Sequence, residues 1–354
     1  MKMPTPISVL QPFAPNLVSD LSRLAFTSVE QVLGAAQISG PLLQTFLGGI
    51  NLATLPLPPL DVIPPAIKAI IDAAVYAFGV PVAPLTASYA PGAGLPPPPL
   101  HPSTKSLVPD MSPIRYQGNR PTCVAFSSLA ALEHNVRKHP GPFGFLIDLE
   151  DCSEQWLYYR CKKADENNKP GTLVSNAYRS LQKDGTVPEL DWPYESPAAP
   201  NDPGTPLPVL PELALSGIGS QTRIREGRAL NGKSIADFRA AIDNERAVTF
   251  WVPVFKSWSQ NAWSNFLGQI TMPIPDEKSV EAHAMCVVGY MDQPESPEIG
   301  GGRFIVRNSW GANWGLLNIW GDRVALPNGY GTIPYAYIAN FGCEAFVIAR
   351  GPFE

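Results

Sequence analysis

The chain has 354 residues, 45% of them hydrophobic, which is enough for one large globular domain with an extension. Its formal net charge of −5 and the lack of any Lys/Arg block argue against a nucleic-acid partner. Five scattered cysteines, at 123, 152, 161, 286 and 343, have neither zinc-knuckle nor redox spacing, so no disulfide framework, metal or cofactor is expected.

Prolines at 4, 6, 12 and 15 interrupt the apolar run that a secretory signal needs, and no stretch of about 20 apolar residues suggests a membrane span. The expectation is a cytoplasmic protein, or one exported by a route without a classical signal peptide. The first 100 residues hold only seven charged side chains, against 26 Lys/Arg and 31 Asp/Glu in the chain. Within them, Asn16 is placed to cap a helix whose Leu17, Leu21, Leu24, Val29, Val32 and Leu33 share one face. A second helix is expected from Pro64 or Pro65 to Phe78, with prolines in its first turn and Gly79 as its stop. Leu95 to Pro102 reads as a polyproline II spacer. The expected division is a helical extension at 1–95, a Pro-rich linker at 96–104 and a catalytic-sized domain at 105–354.

From residue 105 onward the pattern is α+β. Helices are expected over Phe126–Lys138 and Ser153–Lys163. Buried strands are expected over Phe250–Phe255, Ala284–Tyr290 and Phe304–Arg307. Ala198 to Leu213 reads as a Pro-rich surface loop.

Residues 117–127 read Gln-Gly-Asn-Arg-Pro-Thr-Cys-Val-Ala-Phe-Ser. A Gly- and Pro-containing loop gives way to a helix at the cysteine, where unpaired N–H groups and the helix dipole favour a thiolate. A small buried core cysteine fits the same pattern. Residues 281–290 place His283 at the mouth of a strand, and 304–315 carry Asn-Ser-Trp-Gly…Trp-Gly. Each segment alone has an ordinary structural explanation. His134 lies eleven residues beyond Cys123 on one helix, about 16 Å along its axis, and does not reach the thiol. His101 and His139 fall in Pro-containing loops.

Together, in the order Cys…His…Asn, the three segments resemble the papain family of cysteine peptidases in its bacterial-type members. Gln117 lies six residues before Cys123, Ser-Glu-Gln stands at 153–155, Trp-Pro-Tyr at 192–194, and Tyr-Gly-Thr-Ile-Pro-Tyr-Ala-Tyr-Ile at 330–338. The resemblance covers about Lys105 to Phe346. It implies a two-lobe fold, with a helical lobe carrying the cysteine and a β-barrel-like lobe carrying His283 and Asn308. It also implies an endopeptidase with Cys123 as nucleophile, His283 as acid and base, Asn308 orienting the imidazole under Trp310, and Gln117 in the oxyanion hole. Substrate contacts are expected at Gly171, Thr172, Ala284 and Trp310, with an apolar second subsite near Thr172, Phe250 and Ala284. The partner is then a peptide or protein substrate.

The chain departs from the family's pattern at Pro121, which stands where many members have a disulfide-bonded cysteine. It departs again at Val124, in place of an aromatic residue, and at Ala282, where relatives often have Asp or Asn. The 25-residue interval from His283 to Asn308 accommodates a loop at 293–302 between two strands. Two other functions fit the same residues: an inactive peptide-binding module, and a transpeptidase or deconjugating enzyme using the same thioester. The extension at 1–95 is compatible with an inhibitory prosegment, with docking to a partner or membrane surface, and with simple packing on the catalytic domain.

Overall fold

The computed structural model describes residues 4–11, 16–50, 55, 78–95, 97, 102–138, 150–165, 169–195, 211–317, 319–320 and 324–349. The expected helix over 64–78 lies outside these residues except for Phe78, and most of the 95–102 spacer lies outside them too.

The apolar face that predicted one helix from Leu17 to Leu33 is divided between two, α1 (Leu17–Arg23) and α2 (Val29–Phe46). The break falls at Ala25, whose φ of 60° ends the first helix. Ser28 then starts the second with a capping box, its side chain accepting from Gln31 N–H while the Gln31 side chain accepts from Ser28 N–H. Asn16 makes no side-chain cap bond. A kink at Ser39 precedes Pro41, whose ring cannot sit in an undistorted helix.

Helix α3 (Cys123–Lys138) is buried over nearly its whole length, as its Ala- and Leu-rich sequence requires. It packs against α4 (Glu154–Asp165) and α5 (Val174–Lys183) to form the helical lobe. Helix α6 (Glu212–Gln221) begins inside the expected Pro-rich loop, whose earlier part, 198–210, lies outside the described residues. Helix α7 (Ile235–Asp243) starts at Ser234, whose hydroxyl accepts from Asp237 N–H.

Among the described residues the main sheet is antiparallel and has seven strands. They are β1 (Thr104–Ser106), β2 (Glu226–Leu230), β3 (Val248–Phe255), β4 (Ser279–Asp292), β5 (Gly302–Arg307), β8 (Tyr330–Pro334) and β9 (Ala345–Ala349). The order is β2-β9-β3-β4-β5-β8, with β1 added on β4, and β6 (Ile319–Trp320) pairs separately with β7 (Val324–Ala325). The three strands expected from sequence all form, each longer than its apolar run. A hairpin through 293–301 joins β4 to β5, with a short 3-10 turn at Pro297–Ile299. β4 is long enough to pair with β3 along its first part and with β5 and β1 along its second, which bends the sheet around a barrel-like core.

The main core fills this barrel, a second lies among α3, α4 and α5, and smaller clusters form around Phe266 and around Trp156 and Trp192. Leu17, Leu21, Leu24, Val29 and Val32 belong to the barrel core, so α1 and α2 are continuous with it. All five cysteines are free thiols, and Cys161 has no bridge to make with Pro121 in its family position. Among the described residues no helix is long and apolar enough to cross a membrane.

Candidate active site

The two lobes meet where α3 begins and β4 and β5 pass. Cys123 is the first residue of α3. Its sulfur accepts the backbone N–H of Ala284 at 3.4 Å, so thiol and imidazole occupy adjoining positions at the lobe junction. His283 Nε2 lies 2.8 Å from Asn308 Oδ1, and Ser309 N–H also reaches that oxygen at 2.8 Å. A backbone N–H can only donate, so it fixes which end of the amide is oxygen. Nε2 must then carry the ring proton, leaving a lone pair on Nδ1. Among the described residues Nδ1 has no hydrogen-bond partner, and the ring is fully buried.

Trp310 stacks on the imidazole at 4.6 Å and 29°, and is itself packed by Trp258 and Trp314. The His283–Asn308 bond is thereby kept from water, where it would be weaker.

Gln117 is held from several sides. Its N–H donates to Ser309 C=O at 2.9 Å, and its Nε2 donates to Arg120 C=O at 2.8 Å. Ser309 Oγ donates to Gln117 Oε1, which orients the amide with its NH₂ end toward the Cys123 loop. Tyr194 OH donates to Gln117 C=O and also meets Thr122 Oγ1, tying this loop to the helical lobe. Arg120, buried, lies over the rings of Tyr158 and Tyr194 and donates to Gln155 and Glu195. Ser309, Arg120 and Tyr194 all lie in the motifs that carry the family resemblance, but the contacts that give each its role are made across the fold and do not show in spacing.

The cleft is filled by the chain itself. Gly79 C=O accepts from Thr172 N–H at 2.8 Å, and Val80 N–H donates to Ala282 C=O at 3.3 Å. Gly171 N–H, one residue earlier, donates to Tyr158 OH at 3.0 Å. Gly171 serves the closure in another way. At φ 81° it passes so near the segment that a Cβ there would collide with Gly79 O.

Phe78 meets His283 and Trp310 edge-on at 5.8 and 5.7 Å. Val80 and Val82 join the apolar cluster of Ala282, Ala284, Leu173 and Trp251. Phe250, expected in this pocket, packs instead on Phe238 in the barrel core, since alternation along β3 turns its neighbour Trp251 to the cleft.

Burial sets the protonation of this closed site. It pushes the Cys123 thiol up to about 12, against the lowering pull of the Ala284, Gly79 and Val124 N–H groups, with Glu281 adding a small rise. It pushes His283 down to about 4, against the Asn308 bond. Both groups are neutral around pH 7. The low thiol pKa expected from the helix N-terminus is absent here because desolvation outweighs the dipole.

The comparisons follow the same outline. Residues 103–319 match the family model described as papain family cysteine protease. Cysteine proteinase 1 of Entamoeba histolytica is 26% identical over 211 residues, spanning 58% of this chain and 58% of that protein. Pro-cathepsin H of Bos taurus is 25% identical over 211 residues, spanning 58% of this chain and 54% of that protein. The chain thus spans little more than half the length of these curated relatives. Among solved structures, xylellain, a cysteine protease from Xylella fastidiosa, aligns with a TM-score of 0.57 at 24% identity, covering 79% of this chain and 97% of that one. At that identity the likeness is one of fold.

Proposed function

Because the chain belongs to the papain family of cysteine proteases, we propose that it is a cysteine endopeptidase whose described form is latent, its cleft closed by its own residues 78–82. The observation that carries this reading is the His283–Asn308 bond beside a thiol at a helix N-terminus, with Gln117 held across the same loop.

In the opened site the thiol proton passes to His283 Nδ1, and Sγ attacks the scissile carbonyl. The developing oxyanion is met by Gln117 Nε2–H and the Cys123 backbone N–H. The imidazolium then protonates the leaving amine, the C–N bond breaks, and a Cys123 thioester remains. Water, activated by the now neutral His283, releases the acid and restores the thiol.

This chemistry gives the cleft a direction. The leaving amine must lie beside His283, so a substrate's residues after the scissile bond lie against His283 and Trp310. In the closing segment it is the earlier residue, Phe78, that lies there, while the later Val80 and Val82 pack in the cluster of Leu173, Trp251, Ala282 and Ala284. The segment runs opposite to a substrate. No carbonyl of it is presented with a leaving amine at the acid, which favours a prosegment over a bound substrate.

Mass mapping after labelling with a peptide epoxide or vinyl sulfone tests the nucleophile, with modification expected at Cys123. Product analysis with a peptide library, with and without an added amine, distinguishes hydrolysis from transpeptidation. Tight peptide binding with no product and no label at Cys123, after the cleft is opened, identifies the inactive binding module instead.

A further inference from the structure

The described N-terminal residues are attached to the rest of the molecule in two different ways. Residues 5–11 and 16–47 are built into the barrel lobe. Leu17, Leu21, Leu24, Val29, Val32 and Leu43 are each 1% exposed or less. Polar ties accompany this burial. Arg303 of β5, itself buried, donates to Ala25 C=O at 3.1 Å and to Ile270 C=O at 3.2 Å. Asn261 Nδ2 donates to Gln31 C=O at 2.8 Å, Met272 N–H to Leu24 C=O at 3.0 Å, and Thr27 Oγ1 to Gln269 Oε1 at 2.6 Å. Contact is so close that a Cβ at Gly34 would come 2.5 Å from Asn261 Oδ1. Departure of these helices would strip the apolar core and leave a guanidinium, an amide and backbone groups of the barrel without these partners, in the lobe that carries His283 on β4 and Asn308 just after β5.

The segment from Phe78 is different. Pro81 and residues 83–86 are exposed, and its hold on the cleft rests on a few backbone bonds, on the edge-on contacts of Phe78 and on Val80 and Val82. Beyond Pro84 it is fastened again. Leu85 N–H donates to Ser279 Oγ and Leu85 C=O accepts from Ser279 N–H, both at 2.7 Å. Ala87 exchanges two backbone bonds with Glu277 and Asp276, and Tyr89 OH donates to Pro273 C=O at 2.6 Å.

We propose that, among the described residues, opening the cleft displaces only the strap from Phe78 to about Pro84, and that α1 and α2 remain in the active enzyme as a permanent part of its barrel lobe. This inference rests on the latent-form reading above. An inhibitory domain that must leave as a whole would be held by a surface that tolerates solvent, whereas α1 and α2 share one continuous core with the strands that carry the catalytic groups. Activation therefore yields either an intact chain with the strap displaced or a cut chain whose helical fragment stays bound.

Two measurements on the full chain test it. In native-state hydrogen exchange, amides of α2 should exchange in the slowest class together with those of β4 and β5, and those of Gly79 and Val80 at least about tenfold faster. Amides of α1 and α2 exchanging as early as those of the strap would overturn the inference. In the second measurement the chain is incubated under reducing conditions until an epoxide probe labels Cys123, then passed through size exclusion. Residues 17–46 should travel with the labelled peak in native buffer, joined or as a fragment, and any fragment should separate only in guanidinium. A labelled native peak lacking them would overturn it. Failure of Cys123 to label under every condition counts against the peptidase reading, and the exchange measurement then decides this inference alone.

Discussion

Gly79 crosses Cys123 so closely that a single methyl group added at its Cα would lie 2.8 Å from the Cys123 sulfur and closer still to Pro121 O. Pro121 O belongs to the backbone of the nucleophile loop and cannot move aside. Gly79→Val should therefore unseat the strap. An overpacking cost of about 1–3 kcal/mol corresponds to a shift of roughly 5–150-fold in the open fraction. Labelling of Cys123 by an epoxide at pH 7 should rise within that range in the full-length variant. An unchanged rate would mean that the strap does not limit access.

The same closure forecasts a pH dependence. With the thiol pushed up to about 12 and His283 down to about 4, the closed chain should react with iodoacetamide at Cys123 only slowly near neutrality, its rate rising toward strongly alkaline pH. In the Gly79→Val chain, water and the α3 N-terminus act on the thiol, and its labelling should already be substantial near neutrality. Identical pH profiles for the two chains would refute desolvation as the cause of latency.

Cys123→Ala should abolish turnover in the activated enzyme while leaving its thermal midpoint nearly unchanged. Cys286→Ala should keep turnover, because Cys286 stands opposite Thr249 in the β3–β4 register and belongs to the barrel core. Its loss removes one buried sulfur and should cost about 1 kcal/mol of stability. Equal loss of activity in both variants would contradict the nucleophile assignment.

Gln117→Ala removes one oxyanion donor and should lower kcat about 10²–10³-fold in the activated enzyme. Ser309→Ala keeps that donor but frees its orientation, since Ser309 Oγ donates to Gln117 Oε1. It should lower kcat by a smaller factor, roughly tenfold, with KM little changed. A Ser309→Ala effect confined to KM would argue that this hydroxyl serves substrate binding instead.

Glu154 is buried on α4 with its Oε2 lacking a hydrogen-bond partner among the described residues. Burial, with Glu133 nearby, raises its carboxyl to about 8, against the attraction of Arg115. A raised folded-state pKa gives stability that is full below the unfolded value, near 4.5, and is lost as pH climbs toward 8. The slope reaches about 1.4 kcal/mol per pH unit for one proton. Glu154→Gln should therefore be less destabilised than the parent chain between about pH 5 and 8, with the gap in thermal midpoint widening as pH rises. A gap that stays constant or narrows would show Glu154 to be ionised in the fold.

The extended strands, the nucleophile helix and the four polar residues gathered at the lobe junction were legible in the sequence, because each is carried by local chemistry. An apolar Ala/Leu run after a Gly- and Pro-containing loop specifies a helix beginning at Cys123. Asn-Ser-Trp-Gly specifies a turn, and the spacing of Gln117, Cys123, His283 and Asn308 is preserved in one dimension. What the sequence did not determine depends on neighbours distant along the chain. The face from Leu17 to Leu33 has helical spacing throughout, yet Ala25 turns to positive φ and its carbonyl meets Arg303, 278 residues away. Phe250 and Trp251 are both apolar strand residues, and only the packing of β3 between the two cores decides which one faces the cleft. Phe78, Gly79 and Val80 form no motif; their place over Cys123 follows from the fit of a side-chain-free residue between Pro121 and Gly171. The protonation of the site was beyond the sequence for the same reason: a helix N-terminus is a local feature, but the burial that overrides it is made by a segment more than 40 residues upstream of the thiol.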